Sequence, residues 1–236
     1  MNNVSVQDFL PDLMPRLPGA EEELVMHETF AAIREFCEDG QAWIETLPSV
    51  SSKANNPNIY LNPQPDGRVV GYVKQVLFVG AGTVSATSNS NGFRKLLTPI
   101  TTVPAFVTTG QEPTAYMMAD TGHLVLNPIP TLDHTKSYTI DISLIPTNVK
   151  ARLPQEFLTH HRDAIISGVC SRMMLMISKP WSNPTTALYH GKRFRNFVKR
   201  SRALTNSKYS PGAGWRFPDF AMQRFGSYTG GGRGLT

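Results

Sequence analysis

Phe157-Leu158-Thr159-His160-His161-Arg162-Asp163-Ala164-Ile165-Ile166-Ser167-Gly168-Val169-Cys170-Ser171-Arg172-Met173-Met174-Leu175-Met176 is the stretch from which the rest of the chain is read. Phe157, His161, Ala164, Ile165, Gly168, Val169, Arg172, Met173 and Met176 recur at three- and four-residue steps, the spacing of one helix face. Leu153-Pro154 ahead of it puts proline in a first turn, and Glu156 and Asp163 fall toward the positive end of the helix dipole. Ala164 and Gly168 are small enough to let a second helix approach closely. Lys179-Pro180-Trp181-Ser182-Asn183-Pro184 breaks the chain, and a last helix is expected over 184–204, with Leu188, Phe194, Phe197, Val198 and Leu204 apolar among basic residues.

Toward the amino end, residues 21–47 repeat the pattern. Met26, Phe30, Ile33, Cys37, Ile44 and Leu47 recur at three-, four- and seven-residue steps, Gly40 fills the missing turn, Glu21 to Glu23 suit the dipole and Pro48 stops the run. A long helix with one buried face is predicted, with Phe30, Phe36 and Trp43 as core and Gly40 as a weak point or a place of close approach. Residues 6–17 read as a short helix interrupted by Pro11 and Pro15 and ended by Pro18-Gly19.

Between these helices, residues 49–146 change to short β-prone runs divided by turn signals such as Pro65-Asp66-Gly67, Gly80-Ala81-Gly82, Asn89-Ser90-Asn91-Gly92 and Asp120-Thr121-Gly122. Strands are expected at 69–79, 115–119, 123–127 and 138–145. Tyr138, Ile140, Ile142 and Leu144 alternate with Thr139, Asp141, Ser143 and Ile145, as in a sheet with one packed face. Residues 83–114, polar and poorly patterned, read as a long loop or an interface arm. The fold class is therefore α+β. A helical bundle, made of the long N-terminal helix (1–48) and two C-terminal helices (151–205), brackets an antiparallel β unit (49–150), and an extended tail (206–236) follows. Phe30, Ile33, Cys37, Trp43, Phe157, Ile165, Val169, Met173, Trp181 and Phe194 are the candidate bundle core.

Charge is distributed unevenly. The first fifty residues hold ten Asp/Glu against Arg16 and Arg34, and the last 45 hold ten Lys/Arg against Asp219, so the net +5 hides ends near −8 and +9. The absence of an eighteen-residue apolar run and of a basic-then-apolar leader points to a soluble, intracellular protein with no membrane contact. Cys37 and Cys170 stand apart, without a second Cys or a His at ligand spacing, and read as small apolar residues.

Enzyme chemistry finds little to stand on. Gly80-Ala81-Gly82 lacks the following helix and downstream acid of a dinucleotide site and reads as a hairpin turn. His160 and His161, adjacent on a helix, point about 100° apart and cannot converge on one ion. His27-Glu28 has no partner at motif spacing, and no Gly-x-Ser-x-Gly elbow occurs. Neither a catalytic residue, a metal nor a cofactor is expected. What remains is the basic end: Lys192, Arg193, Arg195, Lys199, Arg200, Arg202 and Lys208, followed by Trp215, Arg216, Phe217, Phe220 and Arg224. A solvated helix face is the plain reading. Aromatic and Arg side chains spaced through a segment with little core of its own favour docking, with folding on contact.

The assembled pattern resembles the head-to-tail adaptor, or connector, proteins of short-tailed bacteriophages, across residues 5–205. The resemblance is carried by Phe9-Leu10-Pro11 through Leu17-Pro18-Gly19-Ala20 and by Ala31-Ala32-Ile33-Arg34-Glu35-Phe36-Cys37 with Trp43 and Glu45-Thr46-Leu47-Pro48. Leu153-Pro154-Gln155-Glu156-Phe157-Leu158 through Met176, Lys179-Pro180-Trp181-Ser182-Asn183-Pro184, and Tyr189-His190 with Phe194 complete it. It implies a structural virion protein at the head-tail junction, assembled in the host cytoplasm, in a homo-oligomeric ring of about twelve copies beneath the portal. Its implied partners are the portal protein, neighbouring adaptor subunits and the tail nozzle or tail tube, with nonspecific DNA contact in the channel and a part in genome retention and ejection. Two alternatives stand beside it: a nucleic-acid-binding protein using the basic helix and aromatic tail, and a neck or stopper protein of the same region.

Overall fold

The computed structural model describes residues 3–48, 50–51, 53–61, 71–83, 95–100, 113–120, 122–130, 136–149 and 151–209. The chain is α+β. In order it forms β1 (Asn3–Val4), α1 (Leu10–Leu13) between two short 3-10 turns, α2 (Glu22–Gly40), β2 (Ile44–Thr46), β3 (Val50–Ser51), β4 (Asn58–Tyr60) and β5 (Gly71–Thr83). Then come β6 (Lys95–Leu96), β7 (Thr98–Pro99), β8 (Ala115–Met118), β9 (His123–Asn127), β10 (Lys136–Pro146), β11 (Leu153–Pro154), α3 (Glu156–Thr159), α4 (Arg162–Met173) and α5 (Pro184–Tyr209).

Helices α2, α4 and α5 pack on one another. Gly168 of α4 sits where a Cβ would come within 3.0 Å of both Ala32 of α2 and the Phe194 ring of α5, so its missing side chain lets the three axes converge. The pairs Gly168/Ala32 and Arg172/Glu28 set α2 antiparallel to α4, and Gly168/Phe194 with Gly191/Ser171 do the same for α5. Accordingly α2 and α5 run parallel, and Gly40 brings the end of α2 against Ser201, 3.4 Å from a notional Cβ. Phe9, Leu13 and Leu17 of the proline-interrupted N-terminal segment are fully buried in the same core.

The five-stranded sheet runs β2-β10-β5-β6, with β3 also paired to β10, and the four-stranded sheet runs β4-β9-β8-β7. Along β5 the register against β10 jumps twice, once beyond Phe78↔Asp141 and again beyond Gln75↔Ser143. Leu77 and Lys74 are the extra residues at these bulges. As a result Val73, Val76 and Val79, three apart rather than two, all face the same side as their partners Leu144, Ile142 and Ile140. The Lys74 bulge also aims its ammonium at the carbonyl of Glu38 in the last turn of α2, where a cation complements the negative helix end.

Several expectations are corrected. The helix foreseen over 21–47 stops at Gly40, Gln41 turns left-handed (φ 50°), and Ile44–Thr46 becomes a strand on β10. Ile44 and Leu47 fit a helical period, yet the chain reverses so that Leu144 N–H donates to the Trp43 carbonyl (2.9 Å) and Leu47 N–H to that of Ile140 (2.8 Å). Gly80-Ala81-Gly82 is no hairpin turn: β5 continues through it, with Gly80 paired to Thr139 and Leu96. Leu153–Pro154 is a strand antiparallel to Asn3–Val4 rather than a first turn, and the helix expected to follow divides into α3 and α4. Ser143 and Ile145 are buried like Ile142 and Leu144, because the ends of α2 and α5 cover that face of β10 as well. Residues 95–99, foreseen as loop, add β6 and β7, with Leu97 buried between them and its N–H bonded to the Val79 carbonyl (2.9 Å). β7 pairs with β8 in parallel, so the smaller sheet is not wholly antiparallel.

Candidate docking surface

Helix α5 is clamped along one face and at its end. Ala187, His190, Phe194 and Thr205 are buried, and Phe197 and Val198 pack partly against the core. At the C-terminal end the Tyr209 hydroxyl donates to Asp141 (3.0 Å) and its ring meets Phe78 (centroids 6.5 Å apart), while Thr46 donates to the other Asp141 oxygen (2.6 Å). One helix thereby ties the helical layer to the five-stranded sheet. It runs to Tyr209, five residues past the expected end, and Leu188 and Leu204, foreseen as packing positions, are 60% and 62% exposed.

Its seven cations divide into two groups. Arg193 pairs with Asp163 (2.9 Å) and lies over the Phe197 ring (5.5 Å), and Lys208 lies over Tyr209 (4.9 Å). Lys192, Arg195, Lys199, Arg200 and Arg202 are exposed, and among the described residues no carboxylate pairs with any of them. Lys192, Arg195, Lys199 and Arg202 follow steps of three and four and continue the stripe begun by Leu188. No acid occurs from residue 164 to 218, a feature visible in the sequence that counting charge at the two ends overlooks. A row of like charges on a helix costs stability, and a complementary anionic surface offsets that cost.

Part of the acidic N-terminal half is meanwhile consumed within the chain. Arg172 bridges Glu35 and Glu28 (3.7 Å to the latter), and Arg162 pairs with Asp12. Glu21, Glu22, Glu23, Glu38 and Asp39 remain exposed. Trp215, Arg216, Phe217, Phe220 and Arg224, the aromatic and basic residues expected to dock, lie outside the described residues.

Ile33, Cys37, Trp43, Phe157, Ile165, Val169, Met173, Trp181 and Phe194 are buried and Phe30 is partly buried. Burial pushes the Cys37 and Cys170 thiols upward, which suits two inert packing residues. His160 is exposed; His161 packs between Phe36 and Phe157 (centroids 5.0 and 5.6 Å) and is held below the usual histidine range, first by burial and then by His160. Among the described residues no three His, Cys, Asp or Glu converge as metal ligands, and no helix is long and apolar enough to cross a membrane. Comparison of the sequence with protein-family models gave no match, and comparison with curated proteins gave none.

Proposed function

We propose that this protein is a non-enzymatic head-to-tail adaptor of a tailed phage: a ring beneath the portal that joins capsid to tail and continues the DNA channel. In this reading α2, α4 and α5 are the bundle, residues 49–150 the inserted β unit, and residues 210–236, outside the described residues, a docking segment. The observation that carries it is the outward face of α5, a row of four cations (Lys192, Arg195, Lys199 and Arg202) with Arg200 beside it, none with a carboxylate partner among the described residues. Rings closed by cyclic symmetry need unlike faces on each copy, and an acidic N-terminal half with a basic last helix supplies them. The portal vertex takes the remaining positive charge.

The same row of cations supports a second reading, nonspecific binding of nucleic acid. Two assays separate them. With the portal protein of the same phage, the chain should co-sediment, and K192E/R195E/K199E/R202E should abolish the complex. In filter binding the isolated chain should retain little DNA. Tight binding that collapses between low and moderate salt, without portal binding, overturns the adaptor reading in favour of nucleic acid.

A further inference from the structure

Helix α5 presents its exposed cations in a register of its own. Leu188, Lys192, Arg195, Lys199 and Arg202 follow steps of four, three, four and three, two turns of helix for every seven residues, so they form one line along the exposed side. At a rise of about 1.5 Å per residue the four charges span about 15 Å. Leu188, 60% exposed, heads the line. Asn196 and Ala203, also exposed and lying further round the helix, are short side chains that leave the row accessible. The helix beneath is fastened at both ends: Thr186 N–H donates to the Asn183 side chain (3.1 Å), and the Tyr209 hydroxyl to Asp141 (3.0 Å).

This spacing selects among anionic partners. Duplex DNA carries phosphates on both walls of a major groove about 12 Å wide, so a helix seated there needs cations on two flanks. Of the five cations without a carboxylate partner among the described residues, only Arg200 leaves the line. Phosphates also offer nothing to Leu188 at its head. A second copy of this chain fits poorly as well. Along the exposed side of α2 run Glu23, His27, Arg34 and Glu38, which put an imidazole and a guanidinium between the acids, so that helix could meet the row only at its ends. A helix with carboxylates at alternating steps of three and four does match. Helices pack with such stripes facing each other, and each Lys or Arg can lay its aliphatic stem along the contact while its charge reaches an acid.

We propose that the line from Leu188 to Arg202 is the seat of an acidic amphipathic helix of another protein, with its carboxylates on Lys192, Arg195, Lys199 and Arg202 and an apolar residue on Leu188. This rests on the adaptor reading given above, in which that helix belongs to the portal. Fluorescence anisotropy of the full-length chain with a synthetic lactam-bridged helical peptide tests it. The probe carries four glutamates at alternating three- and four-residue steps and a leucine one step beyond them; a control of the same composition and helicity spreads its glutamates around the helix. The striped peptide should bind at least about tenfold more tightly than the control. K192E/R195E/K199E/R202E should lose it and should instead take a striped peptide with lysines in place of the glutamates. Leu188→Ala should weaken the striped peptide about fivefold while leaving the melting temperature and the binding of a short DNA duplex unchanged. Equal affinity for the two peptides, tighter binding of the duplex than of either, or indifference to Leu188→Ala overturns the proposal. If portal co-sediments with the chain and the striped peptide does not bind, the adaptor reading stands and the helix partner falls; if neither binds, both fall.

Discussion

Helices α4 and α5 are antiparallel neighbours, yet the fold uses them differently. From Ala164 to Cys170 every residue of α4 is buried, and its terminal Arg172 is held by Glu28 and Glu35. On α5 one stripe is buried and the opposite one carries exposed cations that continue from Leu188, with Leu204 exposed between the two. Packing dictates nearly every side chain of α4. Folding places little demand on the outer face of α5, which leaves its composition free to serve the contact proposed above.

Truncation would sharpen that contrast most. Phe194→Ala removes the ring wedged against Gly168 and Phe36, and should cost about 3–5 kcal/mol, read as a lower urea midpoint. Leu204→Ala, ten residues along the same helix, should shift stability by less than about 0.5 kcal/mol. A comparable loss at Leu204 would mean that the outer face is structural after all.

Two glycines offer a finer test. Gly168→Ala drives a Cβ to 3.0 Å from Ala32 and Phe194 and should destabilise by about 1–3 kcal/mol despite alanine's better helix propensity. Gly191→Ala meets Ser171 at 3.7 Å, ordinary contact, and should stabilise by up to about 1 kcal/mol. Thermal unfolding of both should move in opposite directions.

Acid should strain the buried side of α5. Burial first, then Arg16 and Arg193, holds His190 below the usual histidine value. In the unfolded chain His190 titrates at about 6.5, so below that pH the unfolded state takes up a proton that the folded state resists. Its contribution is therefore complete above the unfolded value and is lost as pH falls toward the folded one. The urea midpoint of wild type should decline on acidification, and His190→Asn should flatten that decline. An equal slope in both would remove His190 from the account. The smallest effect is expected at Arg172→Ala, where half-exposed ion pairs contribute about 0.5–1 kcal/mol.

How far the sequence led follows the same division. Ala164, Ile165, Gly168, Val169 and Met173 were legible because a buried helix must repeat every three or four residues, and Gly168 signalled close approach that the structure places at Ala32 and Phe194. Ile44 and Leu47 misled because two apolar positions after Gly40 satisfy a helical period as readily as a strand, and only pairing with β10 decides between them. Gly80-Ala81-Gly82 misled because glycine in a long paired strand looks locally like a turn. The cations of α5 were legible as a basic helix. Which of them spend their charge inside the subunit was not, because Arg193 finds Asp163 across thirty residues only once α4 and α5 are packed. The exposure of Ile177 was hidden for a similar reason: it is a tertiary property that composition does not carry.

The proposed adaptor role requires that the outer face of α5 be covered in the assembled particle. Amine labelling read by mass spectrometry, on the free chain and on the chain bound to portal, tests it at Lys192 and Lys199, both exposed in the subunit. The account predicts strong labelling of both when free and a fall of at least about tenfold on assembly, the effect of excluding water from an interface. Equal labelling in the two states would contradict it.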